Sequence, residues 1–467
     1  MIRVAVLSGL GHAVFVAVGL LIYVMGTRIG HQRRHPSAAV GWVLGIVAFP
    51  YLVVPLFLLF GTRKFARPAR RVRRQALAVP EGGPRWATRL LASLELAPAV
   101  RNAQVVLHAD GTQALQGLLA TIASARYRLD LCTYVFAHDE VGRQVAAALQ
   151  ACVQRGVSVR LLIDAMGSMR TPPGMLRALR RQGVQVRRFM PLLHNPLRGR
   201  TNLRNHRKLV VADGQRLWSG GRNLASEYFI DRPNNPAWID LSYEVHGPLA
   251  AQAQAQFSTD WRVARGLLLR RGRRARATRA AASPQASAAG PLAQWLPSGP
   301  DHADDTVHAL LLAGAYHAQR RIVAVTPYFV PDEALLDAWC LACRRGVQVS
   351  VVVPERSNHR LADIARERAL RALSAAGAQV WLSPAMVHAK AVLIDDELAL
   401  VGSLNLDARS LFLNYEAMTA FYGAPQLHWL SQWCARLIAR AHPYHARQPS
   451  WARDIVEGVV RSVGFQL

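Results

Sequence analysis

The feature that most restricts the fold of this chain is an internal repeat. Asn205-His206-Arg207-Lys208-Leu209-Val210-Val211-Ala212-Asp213 returns as Val387-His388-Ala389-Lys390-Ala391-Val392-Leu393-Ile394-Asp395, and both read His-x-Lys-x4-Asp. The surroundings return in step. Gly220 and Gly402 each lie fourteen residues after their histidine, and Asn223 and Asn405 seventeen after. Asp240 precedes Gly247 by seven residues, as Glu416 precedes Gly423. Residues 322–329 answer 129–136, and Arg345-Gly346-Val347 answers Arg155-Gly156-Val157. Two superposable halves related by a pseudo-two-fold axis are expected. Their seam is the expected site, with one His, one Lys and one Asn from each half.

Within a half the pattern alternates between periods. Residues 115–125 and 141–154 read as helices, and 129–136 and 157–163 as buried strands, which predicts an α/β sandwich. In an extended strand, residues i and i+2 share a face. Each motif therefore points its His and Lys into one cleft while the apolar run behind them enters a sheet. Of 57 basic residues only Lys64, Lys208 and Lys390 are lysine. The two motif lysines thus meet a demand that arginine does not, a compact point charge beside an imidazole.

Two histidines facing one anionic centre suit a double displacement at phosphorus, in which one attacks and the other protonates the leaving oxygen. The candidate catalytic set is His206, Lys208, Asp213, His388, Lys390 and Asp395. The lysines, with the Asn223 and Asn405 amides, are expected to hold the equatorial oxygens. Asp240 and Glu416, equivalent in the two halves, are the carboxylates expected to fix the second imidazole nitrogens. Asp213 and Asp395 end their strands, where a loop-tying role competes with a catalytic one. Arg198, Arg200 and Arg204 approach His206 and read either as phosphate ligands or as a solvated basic loop. No metal or cofactor is called for, since neither motif has a carboxylate cluster with the spacing of a magnesium or two-metal site.

The 467 residues carry a net charge of +28, which favours a polyanionic partner, nucleic acid or an anionic membrane. Residues 4–25 and 38–60 hold no charge and are long enough to span a bilayer, predicting an N-terminal transmembrane hairpin with Tyr23 and Trp42 at its interfaces. Arg63, Lys64, Arg67, Arg70, Arg71, Arg73 and Arg74 follow it and place the rest of the chain on the cytoplasmic side, against the opposing pull of Arg28, Arg33 and Arg34. The expected division is a membrane anchor over 1–75, a first half over 100–262, an Arg/Ala/Ser-rich linker over 263–292 and a second half over 293–467. The linker's six arginines between 270 and 279 suit a solvated tether or anionic lipid headgroups. Five sparse cysteines suggest no disulfide framework, and the Cys340/Cys343 pair stands inside a helical pattern with no second pair.

The duplicated motif resembles that of the phospholipase D superfamily, and the chain is similar throughout to its bacterial cardiolipin synthases. The residues that carry the resemblance are Pro36-Ser37-Ala38, Leu59-Phe60-Gly61, Asn202-Leu203-Arg204-Asn205-His206-Arg207-Lys208 and Gly220-Gly221-Arg222-Asn223. Thr326-Pro327-Tyr328-Phe329-Val330-Pro331 and Gly402-Ser403-Leu404-Asn405-Leu406-Asp407-Ala408-Arg409-Ser410, followed by Asn414 and Glu416, complete them. The resemblance implies transfer of a phosphatidyl group from one phosphatidylglycerol to another at the inner membrane, with His206 as the nucleophile. Phosphatidylethanolamine as donor, a phospholipase D-type hydrolase and a superfamily nuclease would use the same histidines and lysines. A basic non-enzymatic scaffold would not need the twin motifs. The spans argue against the nuclease, so no nucleic acid partner is expected.

Overall fold

The computed structural model describes residues 2–29, 36–60, 83–191, 202–233, 235–264, 290–302 and 304–462. Arg33, Arg34, the basic run 63–74, Arg198, Arg200 and the arginines of 270–279 lie outside the described residues.

Seven strands come from the first half: β1 (Gln104–His108), β2 (Arg128–Thr133), β3 (Ser158–Asp164), β4 (Gln185–Phe189), β5 (Leu209–Ala212), β6 (Arg216–Gly220) and β7 (Ser242–His246). Their seven counterparts in the second half are β8 (Leu292–Ser298), β9 (Arg321–Val325), β10 (Gln348–Pro354), β11 (Gln379–Ser383), β12 (Ala391–Ile394), β13 (Leu398–Gly402) and β14 (Glu416–Phe421). The first sheet runs β1-β7-β6-β5-β2-β3-β4 and the second β8-β14-β13-β12-β9-β10-β11, the same order strand for strand. The second sheet gains Val100–Arg101 at one edge and His442–Pro443 at the other. In each half the first three core strands pair in parallel across helical crossovers, and the motif strand joins them antiparallel. The central parallel strand of the second half, β10, is largely apolar, with Val349, Val351, Val352 and Val353 buried, because both its faces are covered.

Those faces define five layers. Helices Gly111–Ala123, Glu140–Gln154 and Pro173–Arg181 pack outside the first sheet, bringing Leu118, Leu149 and Leu176 onto Leu129 and Leu161. The first two begin where Asp110 and Asp139 side chains accept from the Gln113 and Gly142 amides, satisfying otherwise orphaned N–H groups. Thr306–His317, Glu333–Arg344 and Arg360–Ala375 cover the second sheet in the same way. Between the sheets lie Pro248–Ala264 and Ala424–Ile438, whose Phe257, Trp261, Leu430 and Trp433 join Val211, Val245, Val325 and Val401 in one core. Burying each such side chain contributes about 1.5–3 kcal/mol. The halves are thereby fixed to each other, and Tyr243 meets Thr419 across them at 2.6 Å.

At the N-terminus are helices α1 (Ile2–Ile29), α2 (Pro36–Ala48) and α3 (Pro50–Phe60). Tyr23, Ile46 and Phe57 form a small core among them, and Gly19 permits the approach, since a Cβ there would lie 2.6 Å from Val54. The span expected over 38–60 is two helices, interrupted at Phe49, because a proline at position 50 disfavours helical backbone in the residue before it. Among the described residues no helix is long and apolar enough to cross a membrane; the side chains of α1 are described only over 10–25.

Candidate active site

Each motif lies in an extended lead-in to its strand, so the lysine is followed at once by β5 or β12. These lead-ins dock on the opposite half. Asn205 forms a parallel bridge with Tyr415, and Val387 with Ile239. The His206 amide donates to the Tyr415 carbonyl at 2.9 Å, and the His388 amide to the Ile239 carbonyl at 2.7 Å. The carboxylates that follow those carbonyls are thereby carried across the seam. His206 Nδ1 donates to Glu416 at 2.9 Å, and His388 Nδ1 to Asp240 at 2.7 Å. Both Nδ1 atoms are committed to carboxylates, which leaves each Nε2 as the ring nitrogen with a lone pair.

The two sets form one electrostatic site. Burial lowers His206 to about 4, with Lys208 and Lys390 adding to the effect against the pull of Glu416. Burial lowers His388 to about 3, with its neighbour Lys390 as the next cause. The two side chains are 11% and 6% exposed, and both are neutral imidazoles at pH 7. Burial opposes ionisation of Glu416 and Asp240, but the histidines and lysines outweigh it and hold both below the usual carboxylate range. Burial lowers Lys390 to about 8 and pushes Lys208 well down too, with the opposing lysine as a further cause in the latter. Lys208 Nζ donates to the His206 carbonyl at 2.7 Å, and Lys390 Nζ sits against the His388 ring nitrogens at 2.8 and 3.1 Å. An anion bound between the two lysines would favour their charged forms.

The other expected residues divide. Asn223 is held within the protein, accepting from the Val135 amide at 3.2 Å and donating to Tyr228 Oη at 2.8 Å. Asn405 instead keeps a buried amide oxygen with no hydrogen-bond partner among the described residues, so the paired amides are not equivalent. Arg204 is buried, donating to the Met190 carbonyl at 3.1 Å and to Asp164 at 3.4 Å; it is not part of a solvated loop. Asp213 and Asp395, grouped with the catalytic set by the motif, sit at the far ends of four-residue strands, roughly 16 Å along the chain from the lysines. At φ 54° and 48° they turn the chain. Asp213 accepts from the amides of Arg126, Tyr127 and Arg128, and Asp395 from those of Gln319, Arg320 and Arg321. They tie loops and do not enter the site. Cys340 and Cys343 are free thiols on Glu333–Arg344, raised by burial.

Several supporting residues escaped the motif reading. Ser403 Oγ donates to Glu416 at 2.5 Å, and Asn414 Nδ2 to the same carboxylate at 3.3 Å. At the equivalent place Gly221 is required, since a Cβ would lie 2.2 Å from Asp240 Oδ1. The Gly220-Gly221 and Gly402-Ser403 pairs were the available signal. Arg207, the variable residue of the first motif, is fully buried; it pairs with Asp260 at 2.6 Å and Asp301 at 3.3 Å and donates to the Glu416 carbonyl at 2.9 Å. Tyr134 packs edge-on to His206 and Tyr228 edge-on to His388, each at 5.0 Å between centroids, with Trp238 at 5.5 Å from His388.

Residues 118–261 and 311–438, which contain the two motifs, match the family model described as cardiolipin synthase, PLD-like domain. Cardiolipin synthase A of Pseudomonas entomophila (strain L48) is 32% identical over 407 residues, 82% of this chain and 82% of that protein. Cardiolipin synthase A of Pseudomonas aeruginosa (strain LESB58) is 33% identical over 408 residues, 82% of this chain and 81% of its own. The solved phosphatidylserine synthase of Haemophilus influenzae Rd KW20 shares the fold, with a TM-score of 0.62 at 14% identity, covering 82% of this chain and 100% of that one. A duplicated fold that holds both motifs in one seam and matches the family model across both halves means that the chain belongs to the cardiolipin synthase family of phospholipase D-like enzymes.

Proposed function

We propose that the protein transfers a phosphatidyl group from one phosphatidylglycerol to the hydroxyl of another, giving cardiolipin and glycerol. The observation that carries this reading is the crosswise pair of carboxylate-held imidazoles in one buried seam. His206 Nε2 attacks phosphorus while protonated His388 gives its proton to the departing glycerol oxygen. The P–O bond breaks as the P–N bond forms. His388, now neutral, takes the proton of the second phosphatidylglycerol's hydroxyl, whose oxygen displaces His206 and restores both rings. His206 is assigned as nucleophile because Glu416 is itself held by Ser403 and Asn414, which fixes the ring most firmly. The lysines neutralise the equatorial oxygens, and phosphate charge favours protonation of His388 when substrate enters. Near-complete burial of the histidines supports transfer over hydrolysis, because water has little access.

The membrane assignment belongs to the same proposal. α1 has 28 residues, about 42 Å at 1.5 Å each, and is uncharged over 4–25. Leu10, Phe15 and Leu21 of α1 and Leu44, Phe49 and Leu52 beside α2 and α3 are exposed apolar side chains suited to lipid. With the basic residues 63–74 following, the catalytic halves lie on the cytoplasmic face of the inner membrane.

The test is incubation of the purified protein with phosphatidylglycerol labelled in both glycerols, in EDTA. Cardiolipin and free glycerol in equal amounts are expected. Phosphatidic acid as the main product would replace the transferase with a hydrolase. Ethanolamine release on adding phosphatidylethanolamine would change the donor. Trapping the intermediate and sequencing the phosphopeptide tests His206 against His388.

A further inference from the structure

The last helix, Trp451–Ser462, is inside out. Trp451 is 81% exposed, Ile455 47% and Val456 50%, on the side a surface helix ordinarily gives to polar groups. Among the described side chains of this helix, Glu457 is the buried one, 1% exposed, where Arg371 meets it at 2.5 Å and Arg453 at 3.1 Å. An ion pair thus staples the helix to Arg360–Ala375 while its apolar side faces outward. Beside it lies a cavity of about 520 Å³ whose lining includes Arg371, Arg447, Arg453, His445 and Tyr444, with Glu367 as its acidic residue. Tyr444 Oη donates to Glu367 at 3.0 Å, and Arg371 and Arg453 are paired with Glu457, so Arg447, which has no ion pair among the described residues, is the guanidinium that faces an incoming anion.

We propose that this helix and the basic cavity form a second membrane contact. The cavity takes the phosphate of an anionic phospholipid headgroup, and Trp451, Ile455 and Val456 enter the lipid interface. Charge complementarity selects this occupant: cations at headgroup depth beside a tryptophan-led apolar side are what an interfacial helix on an anionic bilayer requires. The contact is separate from the reaction at the histidines and holds whatever the donor lipid is.

Full-length protein in nanodiscs of phosphatidylglycerol and phosphatidylcholine, or of phosphatidylcholine alone, provides the test. Amide exchange over 451–462 is expected to be at least tenfold slower with the anionic lipid. A phosphatidylglycerol carrying a diazirine on its acyl chain is expected to crosslink to 444–462. That yield should fall at least fivefold in Trp451→Ser/Ile455→Ser/Val456→Ser, and comparably in Arg447→Glu, which leaves the apolar side intact and so reports on the cavity rather than on folding. Equal exchange in the two nanodiscs overturns the proposal. Protection in detergent that rises with protein concentration also overturns it, because the occupant is then a second copy of the chain.

Discussion

The first and second halves have the same strand order, yet they do not build the same half-site. In the second, the carboxylate is a glutamate clamped by Ser403 and Asn414, and it serves the first half's histidine. In the first, it is a shorter aspartate made possible by Gly221, and it serves the second half's histidine. The motif's variable residue is a buried arginine in one copy and an alanine in the other. The amide of Asn223 is tied into its own half, whereas that of Asn405 keeps an unpartnered oxygen. Duplication thus preserved the scaffold while exchange across the seam let the two imidazoles diverge. A two-step displacement benefits from that divergence, since one ring must stay bare to attack and the other must carry a proton.

The largest effect should come from removing either ring. His206→Ala and His388→Ala are each expected to lower cardiolipin formation by at least about 10³-fold with the far-UV circular dichroism unchanged. Near-native turnover in either variant would end the two-histidine mechanism. If the halves divide the labour as assigned, only His388→Ala should still accumulate phosphoprotein, slowly.

Arg207→Ala tests the structural side of the asymmetry. It strands Asp260 and Asp301 in the interior and should cost about 3–5 kcal/mol in denaturant unfolding. Mere loss of activity at unchanged stability would contradict the role read from its contacts.

Acid should expose the histidines' burial. Both rings have pKa values below their ordinary 6.5, so protons bind the unfolded chain more readily. Their contribution to stability is fully present above pH 6.5 and is lost as pH falls, through about 4 for His206 and on to about 3 for His388. The depressed Glu416 and Asp240 act in the same direction at the acid end. Urea midpoints against pH should therefore flatten on the acid side in both His206→Ala and His388→Ala. A slope unchanged in either variant would mean that the ring's pKa is not depressed in the folded protein.

The gentlest change swaps carboxylate for amide. Glu416→Gln and Asp240→Asn should each reduce turnover about 10–100-fold by loosening a ring. The crosswise pairing requires that Glu416→Gln alter the pH dependence of phosphorylation at His206, not at His388. The reverse pattern would return each carboxylate to its own half.

Much of this is legible in the sequence. Repeated spacing exposed the duplication, alternating periods exposed the α/β layers, and scarce lysines marked Lys208 and Lys390. Asp240 and Glu416 could be named from their matched distance to Gly247 and Gly423. The roles of Arg207 and the flanking tyrosines could not, because nothing local to the sequence says which buried groups a neighbouring strand will bring. The Asp of the motif could be read two ways, and its contacts follow the loop-tying one. Its spacing tracks the strand's length, and its carboxylate is consumed by three loop amides at the opposite end from the lysine. Phe49 shows a similar limit, since an apolar run long enough for one span is divided by the backbone demands of Pro50.

By itself the sequence determined the duplicated scaffold, the chemical types at the site and their number, since these follow from periodicity, spacing and residue identity along one chain. Only the tertiary structure decided which carboxylate holds which histidine. That choice is made by Tyr415 and Ile239, whose carbonyls capture the motif of the opposite half and so set Glu416 on His206 and Asp240 on His388. A pairing made by backbone hydrogen bonds between segments far apart in the chain leaves no periodic mark on either segment, because every non-proline residue carries the same N–H and C=O.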